Sequence, residues 1–489
     1  MIERTRACDV ERPKPSRLWD TIRTAVMLAG LAASSSAALA QVADTQGAPA
    51  TLTLEQALGY ALDHYPTVRA ALEQVNASTA NVSVAKTAYW PRFDALWQTN
   101  RATANNLFGQ LLPQSVIPSI SGPVLPSPSS QSVWGSAAGA LLSWEPVDFG
   151  LRSAMVREAD AGVLRARAEE GLTRLAVQNA VAEAFLAVVN AQQALAASDA
   201  DVQRRQVLAR SAQTLADNQL RPGAEASRAD AELAAARTRA IRTREAVILA
   251  QTTLARLLGV PGGTVNVTAV RLLDDVAATA PAAVSAPPHP LVQSEQAAVE
   301  LARAREGVLT KTDRPRLYLQ SSVSARGSGA NPDGLFDGGA DGLGLERANW
   351  AAGVQLVFPN LFDFSSLRAR RAAASALTRA ESARYDEAVL TVTSQQRAAD
   401  AMVEAARAVA QNTPIQLAAA RQSEAQARAR YDAGLASMTE VAEAQNLLAG
   451  AEYEDAAARV DVWRALLARA VAQGSLTSLV DLLRGSGAQ

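Results

Sequence analysis

VWGSAAGALLSW, residues 133–144, repeats with a period of two. Trp134, Ser136, Ala138, Ala140, Leu142 and Trp144 fall on one face of an extended chain, because successive side chains of a strand point to opposite sides. Tryptophan at both ends of that face, with small and apolar residues between, is the pattern of a strand crossing an outer membrane, apolar toward lipid and polar inside. At strand rise Trp134 to Trp144 spans about 33 Å, or roughly 23 Å of depth at a 45° tilt, close to the height of such a barrel's apolar band. A small soluble sheet is the competing reading.

Three further stretches follow the same rule. RLYLQSSVSAR (316–326) sets Leu317, Leu319, Ser321, Val323 and Ala325 against Tyr318, Gln320, Ser322, Ser324 and Arg326. NWAAGVQLVF (349–358) gathers Trp350, Ala352, Val354, Leu356 and Phe358, while FDALWQTNRATA (93–104) alternates only weakly. The connections at 105–132 and 328–347 are rich in Pro, Gly, Ser and Asn, as extracellular loops are. Four strands do not close a barrel, since the smallest have about eight, and lipid does not tolerate an open edge. Several copies must therefore close it together. Two copies give eight strands and three give twelve, and the pattern does not choose.

The remainder is helical in composition. The chain has 489 residues, a net charge of −1, 48% hydrophobic residues and only 4% aromatics, which excludes charge-driven nucleic-acid binding and a disordered chain. Alanine, leucine, arginine, glutamate and glutamine fill long stretches and favour helix. At the N-terminus, Arg12, Lys14, Arg17 and Arg23 precede the apolar run AVMLAGLAASSSAALA, which ends in Ala38-Leu39-Ala40. Residues 1–40 therefore read as an export leader. The single cysteine, Cys8, lies before that run, so the exported chain would carry no disulfide, thiol nucleophile, cysteine-bound metal or lipid-anchored cysteine. No later run is expected to be long and apolar enough to span a bilayer as a helix.

The exported chain is written twice. Pro66 and Pro290 lie 224 residues apart, as do Pro91 and Pro315; Asp148-Phe149 and Asp363-Phe364 lie 215 apart, as do Glu225 and Glu440. Residues 41–275 form the first repeat and 291–489 the second with its tail, joined by the Pro/Ala-rich linker 276–290. In each repeat a 77-residue interval reads as one helix of about 115 Å, which a shorter helix answers in return. Opening helices at Leu54–Tyr89 and Pro290–Thr312 supply a second short piece, so that two short helices stack along one long one. Helices of that length belong to a coiled-coil-like bundle.

From LTLEQALGYALDHYPTVRAALEQ (52–74), through LRPGAEASRADAELAAA (220–236), to YDAGLASMTEVAEAQ (431–445), the chain resembles the TolC family of outer-membrane efflux proteins. The resemblance implies a mainly α fold with membrane β: a long α-helical barrel and a transmembrane β-barrel, four strands per chain, completed by trimerisation. It also implies a homotrimer in outer-membrane lipid, docked to a periplasmic adaptor (membrane fusion protein) and an inner-membrane transporter of RND or ABC type. By the family's motif, Gly434 marks a periplasmic turn, with Glu440, Glu443, Glu225 and Tyr431 around a closable entrance. Arg221, Gly223, Gly434 and Ser437 are then the adaptor-docking tips. Trp134, Trp144, Trp350 and Phe358 form the membrane girdle. Gln219 stands where the first repeat would have its glycine, and Ala436 where some members carry a latching arginine. An Arg228–Glu443 or an Arg221–Glu225 contact is the replacement expected for that latch.

Other chemistry is not indicated. His64 and His289, the only histidines, stand beside Pro66 and Pro290 and read as matching helix-start positions. LLGVPGG (257–263) lacks the lysine of a phosphate loop and reads as a helix stop. No catalytic, cofactor-binding or metal-binding residue is assigned. The expected function is a substrate exit channel of an efflux pump. Its rivals are a type I protein-secretion duct, a soluble coiled-coil adaptor and a free-standing porin.

Overall fold

The computed structural model describes residues 51–106, 110–118, 124, 128–260, 262–268, 288–330, 340–359 and 363–484. The leader and most of the 276–290 linker lie outside them. The described helices are α1 (Leu54–His64), α2 (Pro66–Thr87), α3 (Leu151–Asp217), α4 (Gly223–Leu257), α5 (Pro290–Leu309), α6 (Phe364–Asp432), α7 (Met438–Ala472) and α8 (Thr477–Arg484). The strands are β1 (Thr51–Leu52), β2 (Arg92–Thr103), β3 (Ser132–Val147), β4 (Asn266–Val267), β5 (Arg316–Ser328) and β6 (Arg347–Val357).

Two long helices set the frame. α3 has 67 residues and α6 has 69, so each runs about 100 Å at the α-helical rise. The expected 115 Å was too long, because each 77-residue interval also contains a strand–helix junction, a turn and the start of the returning helix. The single opening helix expected at Leu54–Tyr89 is likewise two. Pro66 lacks an N–H and holds Tyr65 extended, so α1 ends and α2 begins with Pro66 in its first turn.

Short helices stack end to end along the long ones, α4 and α2 along α3, α7 and α5 along α6. Each joint has a glycine in the left-handed region, which a side chain resists. Gly259 (φ 77°) closes α4 against the backbone of His64, and Gly474 (φ 84°) follows α7. A Cβ on Gly474 would lie 2.7 Å from Pro290 Cδ. The two histidines sit at these joints but do different work. The His64 ring stacks on Tyr60 at the end of α1, whereas His289 is the N-cap of α5. His289 Nδ1 accepts from the Leu291 N–H at 3.1 Å, and Nε2 donates to the Val471 carbonyl at 3.1 Å. The bond accepted by Nδ1 requires the neutral ring, and burial lowers the ring's pKa in the same sense, outweighing the bond to Val471, which raises it.

The main core surrounds these joints. Val181, Phe185 and Leu186 of α3 meet Leu254 and Leu258 at the end of α4, with Trp463 and Leu467 of α7. The parallel pair β1–β4 and α8 lie beside it. Contrary to the sequence expectation, α3 does contain a window long and apolar enough to cross a bilayer, but half of that window is buried in the fold. A helix so placed answers to its packing.

β2, β3, β5 and β6 form one antiparallel sheet in that order. β2 follows α2 and β3 leads into α3; β5 follows α5 and β6 leads toward α6. The helices therefore all leave from one end of the sheet, and the β2–β3 and β5–β6 connections lie at the other. The register aligns Ala95, Ala140, Val323 and Trp350 in one row and Phe93, Leu142, Ser321 and Ala352 in the next. One face thus collects Phe93, Trp97, Leu142, Val323, Trp350 and Val354. The other collects Gln98, Asn100, Ser322, Ser324, Arg326 and Gln355.

Candidate functional site at the turns of the long helices

The far ends of α3 and α6 turn by the same device. At the first, the Leu220 N–H bonds the Leu215 carbonyl and the Gln219 N–H bonds that of Ala216, both at 2.9 Å. At the second, Leu435 N–H bonds Arg430 and Gly434 N–H bonds Tyr431, at 2.8 and 2.9 Å. This double closure needs a left-handed residue after the cap, and Gly434 (φ 77°) and Gln219 (φ 57°) supply it. The repeat therefore extends to backbone conformation, with Gln219 in the glycine's place. α4 then starts after Pro222, with Gly223 first in the helix. α7 is capped by Ser437, whose hydroxyl accepts from the Glu440 N–H at 3.4 Å while the Glu440 carboxylate accepts from the Ser437 N–H at 3.4 Å.

Arg221 ties the two turns together. Its guanidinium lies over the Tyr431 ring, 5.0 Å from the centroid, and donates to the Tyr431 carbonyl at 3.2 Å. The Tyr431 hydroxyl donates to Glu225 at 3.1 Å, and Arg221 approaches the same carboxylate at 3.9 Å. Tyr431 is buried among Leu208, Ala212, Leu233, Met438 and Val441. That burial, followed by the bond to Glu225, pushes its hydroxyl pKa upward and keeps it a donor. Arg221, Glu225, Tyr431 and Gly434 thus come together within one chain. Glu440 pairs with Arg430 at 3.3 Å on the surface, where such a pair contributes little. Arg228 and Glu443 are both exposed and take no part in these contacts.

A second cluster lies higher, where α3, α4 and α7 meet, and the sequence reading did not identify it. Arg205 is 1% exposed and donates to Asp201 at 2.9 Å, Glu232 at 2.8 Å and Asn446 at 2.7 Å. Arg239 reaches the same Asp201 at 3.0 Å, and Arg204 grips Glu452 with bonds of 3.1 and 2.7 Å. Arg205 and Arg204 therefore bind the first hairpin to the second.

The residues named for the membrane girdle lie at the opposite end of the molecule, on the sheet. Trp144 donates to the Tyr89 carbonyl at 3.0 Å, Arg101 stacks on Trp134, and Trp350 and Phe358 are exposed. Phe93 and Trp97 of β2 share their face, though the weak alternation of that strand hid them.

The outer membrane efflux protein profile matches residues 57–260 and 288–474, which together make up most of the chain. The chain belongs to the outer membrane efflux protein family. No curated protein sequence is matched. Among solved structures, VceC of Vibrio cholerae is similar with a TM-score of 0.66 at 18% identity, covering 86% of this chain and 96% of that one. The CmeC outer membrane channel of Campylobacter jejuni gives 0.68 at 16% identity, covering 88% and 89%. The open state of the MtrE outer membrane channel of Neisseria gonorrhoeae gives 0.63 at 18%, covering 86% and 89%. At these identities the likeness shows a shared fold. The family is one of outer-membrane efflux channels.

Proposed function

We propose that the protein is the trimeric outer-membrane exit duct of a tripartite efflux pump. It passes substrates from periplasm to exterior after docking with a periplasmic adaptor and an inner-membrane transporter. Residues 1–40 act as the export leader, and the two repeats each contribute one helical hairpin and two membrane strands. The observation that carries this reading is the inverted sheet. Trp350 is 80% exposed, Trp97 72% and Val354 67%, while on the opposite face Gln320 and Gln355 are exposed and Arg326 and Ser324 lie beneath residues 110–118. A soluble sheet exposes its polar face and buries its apolar one. A wall between lipid and an aqueous lumen turns its apolar face outward to lipid and its polar face to water. The unpaired edges of β2 and β6 support closure with further copies, since backbone groups left open in lipid cost several kcal/mol each. Arg221, Gly223, Gly434 and Ser437 occupy the turns farthest from the sheet and present the adaptor-docking surface. Glu225, Glu440, Glu443 and Tyr431 surround the entrance there. Deleting the gene and profiling susceptibility tests the whole: sensitisation to a set of exported compounds, restored by the wild-type gene, is expected. Unchanged susceptibility, with the protein absent from outer-membrane fractions of the parent strain, contradicts it.

A further inference from the structure

Residues 110–118 of the β2–β3 connection leave the loop end of the sheet and run along its polar face. Ile117 is buried against Gly139, where an added Cβ would stand 2.8 Å from Ile117 Cγ1 and 3.2 Å from Ser324 Cβ. Gly139 lies seven residues into β3 from its loop end at Ser132, so the segment reaches about 23 Å down the strand, or roughly 16 Å of depth at a 45° tilt. The wall holds it by specific bonds. Asn100 Nδ2 donates to the Gln110 carbonyl at 2.7 Å, and Arg326 Nη2 donates to that of Pro118 at 3.2 Å. Within the segment, Gln114 Oε1 accepts from the Val116 and Ile117 N–H groups at 2.6 and 2.7 Å, while its Nε2 donates to the Ile117 carbonyl at 2.8 Å. Gln98, Ala137 and Ser324 are buried on this covered face.

We propose that residues 110–118 form a fixed restriction inside the exit of the duct, and that Gly139, Asn100 and Arg326 are the wall positions that set its width. The inference rests on the reading of the sheet as a membrane wall. Three copies would project inward at one level and limit the size of hydrophilic solute that crosses the exit in either direction. The glycine is the determinant of depth: any side chain at 139 meets Ile117 and lifts the segment away from the wall or displaces it.

The exported chain has no cysteine of its own, so single cysteines report access from outside intact cells. Gln320 is exposed on the polar face and pairs with Ser143, on the helix side of Gly139. In the parent, Gln320→Cys is expected to react with a small polar maleimide and to exclude a large polymer-linked one. Asn100→Ala with Arg326→Ala, added to the same background, should admit the large reagent. Gly139→Leu should also change the size limit; where it fails to assemble, the tether double variant carries the test. Equal reaction of both reagents in the parent, or the same size limit in the tether variant, overturns the restriction. Failure of the wall reading looks different: Val323→Cys, on the apolar face, would then react with the polar reagents as readily as Gln320→Cys.

Discussion

Arg205 has almost no contact with water, yet it answers two carboxylates and an amide from three helices. Breaking a buried pair by removing one partner leaves the other charge uncompensated, at a cost of about 3–5 kcal/mol. Arg205→Ala should lower stability by that order and loosen α3 from α7, measured as a fall in the thermal midpoint of the purified protein. His289 acts in the opposite sense. Its pKa is lowered in the folded chain, so the unfolded chain binds the proton first as pH falls. The neutral-ring contribution is present above the unfolded value of 6.5 and is lost as pH drops through it toward the folded value. His289→Asn keeps a capping oxygen and removes the titration. The variant should therefore show a shallower loss of stability between about pH 7 and 5 than the parent. At the turns, Gly434→Val forces a β-branched residue into φ 77°, and complementation of the deletion's export phenotype should fail while the protein still assembles. Of these positions, Gly434 was legible through the family's turn motif and His289 as a helix start beside Pro290, whereas Arg205 was not. Arg205 sits in an Ala/Arg-rich helix where a buried arginine and a solvated one have the same local pattern.

The strands were legible for a physical reason: a period of two survives as long as one face stays apolar. β3, β5 and β6 keep it, and their register brings the expected faces together. β2 keeps it too, with Phe93 and Trp97 on the common face, but Arg101 on that face and Leu96 on the other blur the pattern. The inward course of residues 110–118 left no such trace, because a Pro/Ser/Gly-rich connection reads the same whether it stands in solvent or folds onto a wall. The sheet assignment predicts unequal responses to one substitution. Val323→Arg, central in β5 and apolar-facing, should cost about 2–4 kcal/mol near mid-bilayer, whereas Gln320→Arg on the polar face should be far milder. Yield of heat-resistant assembled protein from the outer membrane measures the difference, and equal tolerance contradicts the register.

At the scale of the whole molecule, two hairpins meet through Arg221, Tyr431 and Glu225 at one end, and at the other lies a sheet whose edge strands β2 and β6 pair with no further strand among the described residues. In the proposed trimer Glu443 and Glu440, the latter paired with Arg430, would gather at one entrance, where the proposed acidic ring attracts cations. Channels in planar bilayers should then prefer cations and be blocked by trivalent ions from the helix side. Glu440→Ala with Glu443→Ala should relieve that block. Everything depends on the sheet being a wall between lipid and water. Spin labels placed one at a time at residues 318–325 of β5 test this most directly in reconstituted membranes. The account predicts alternation, with 319, 321, 323 and 325 colliding with dissolved oxygen and shielded from a polar nickel chelate. Even positions should show the lower oxygen collision. An absence of alternation, or polar-reagent access to the odd positions, would contradict it.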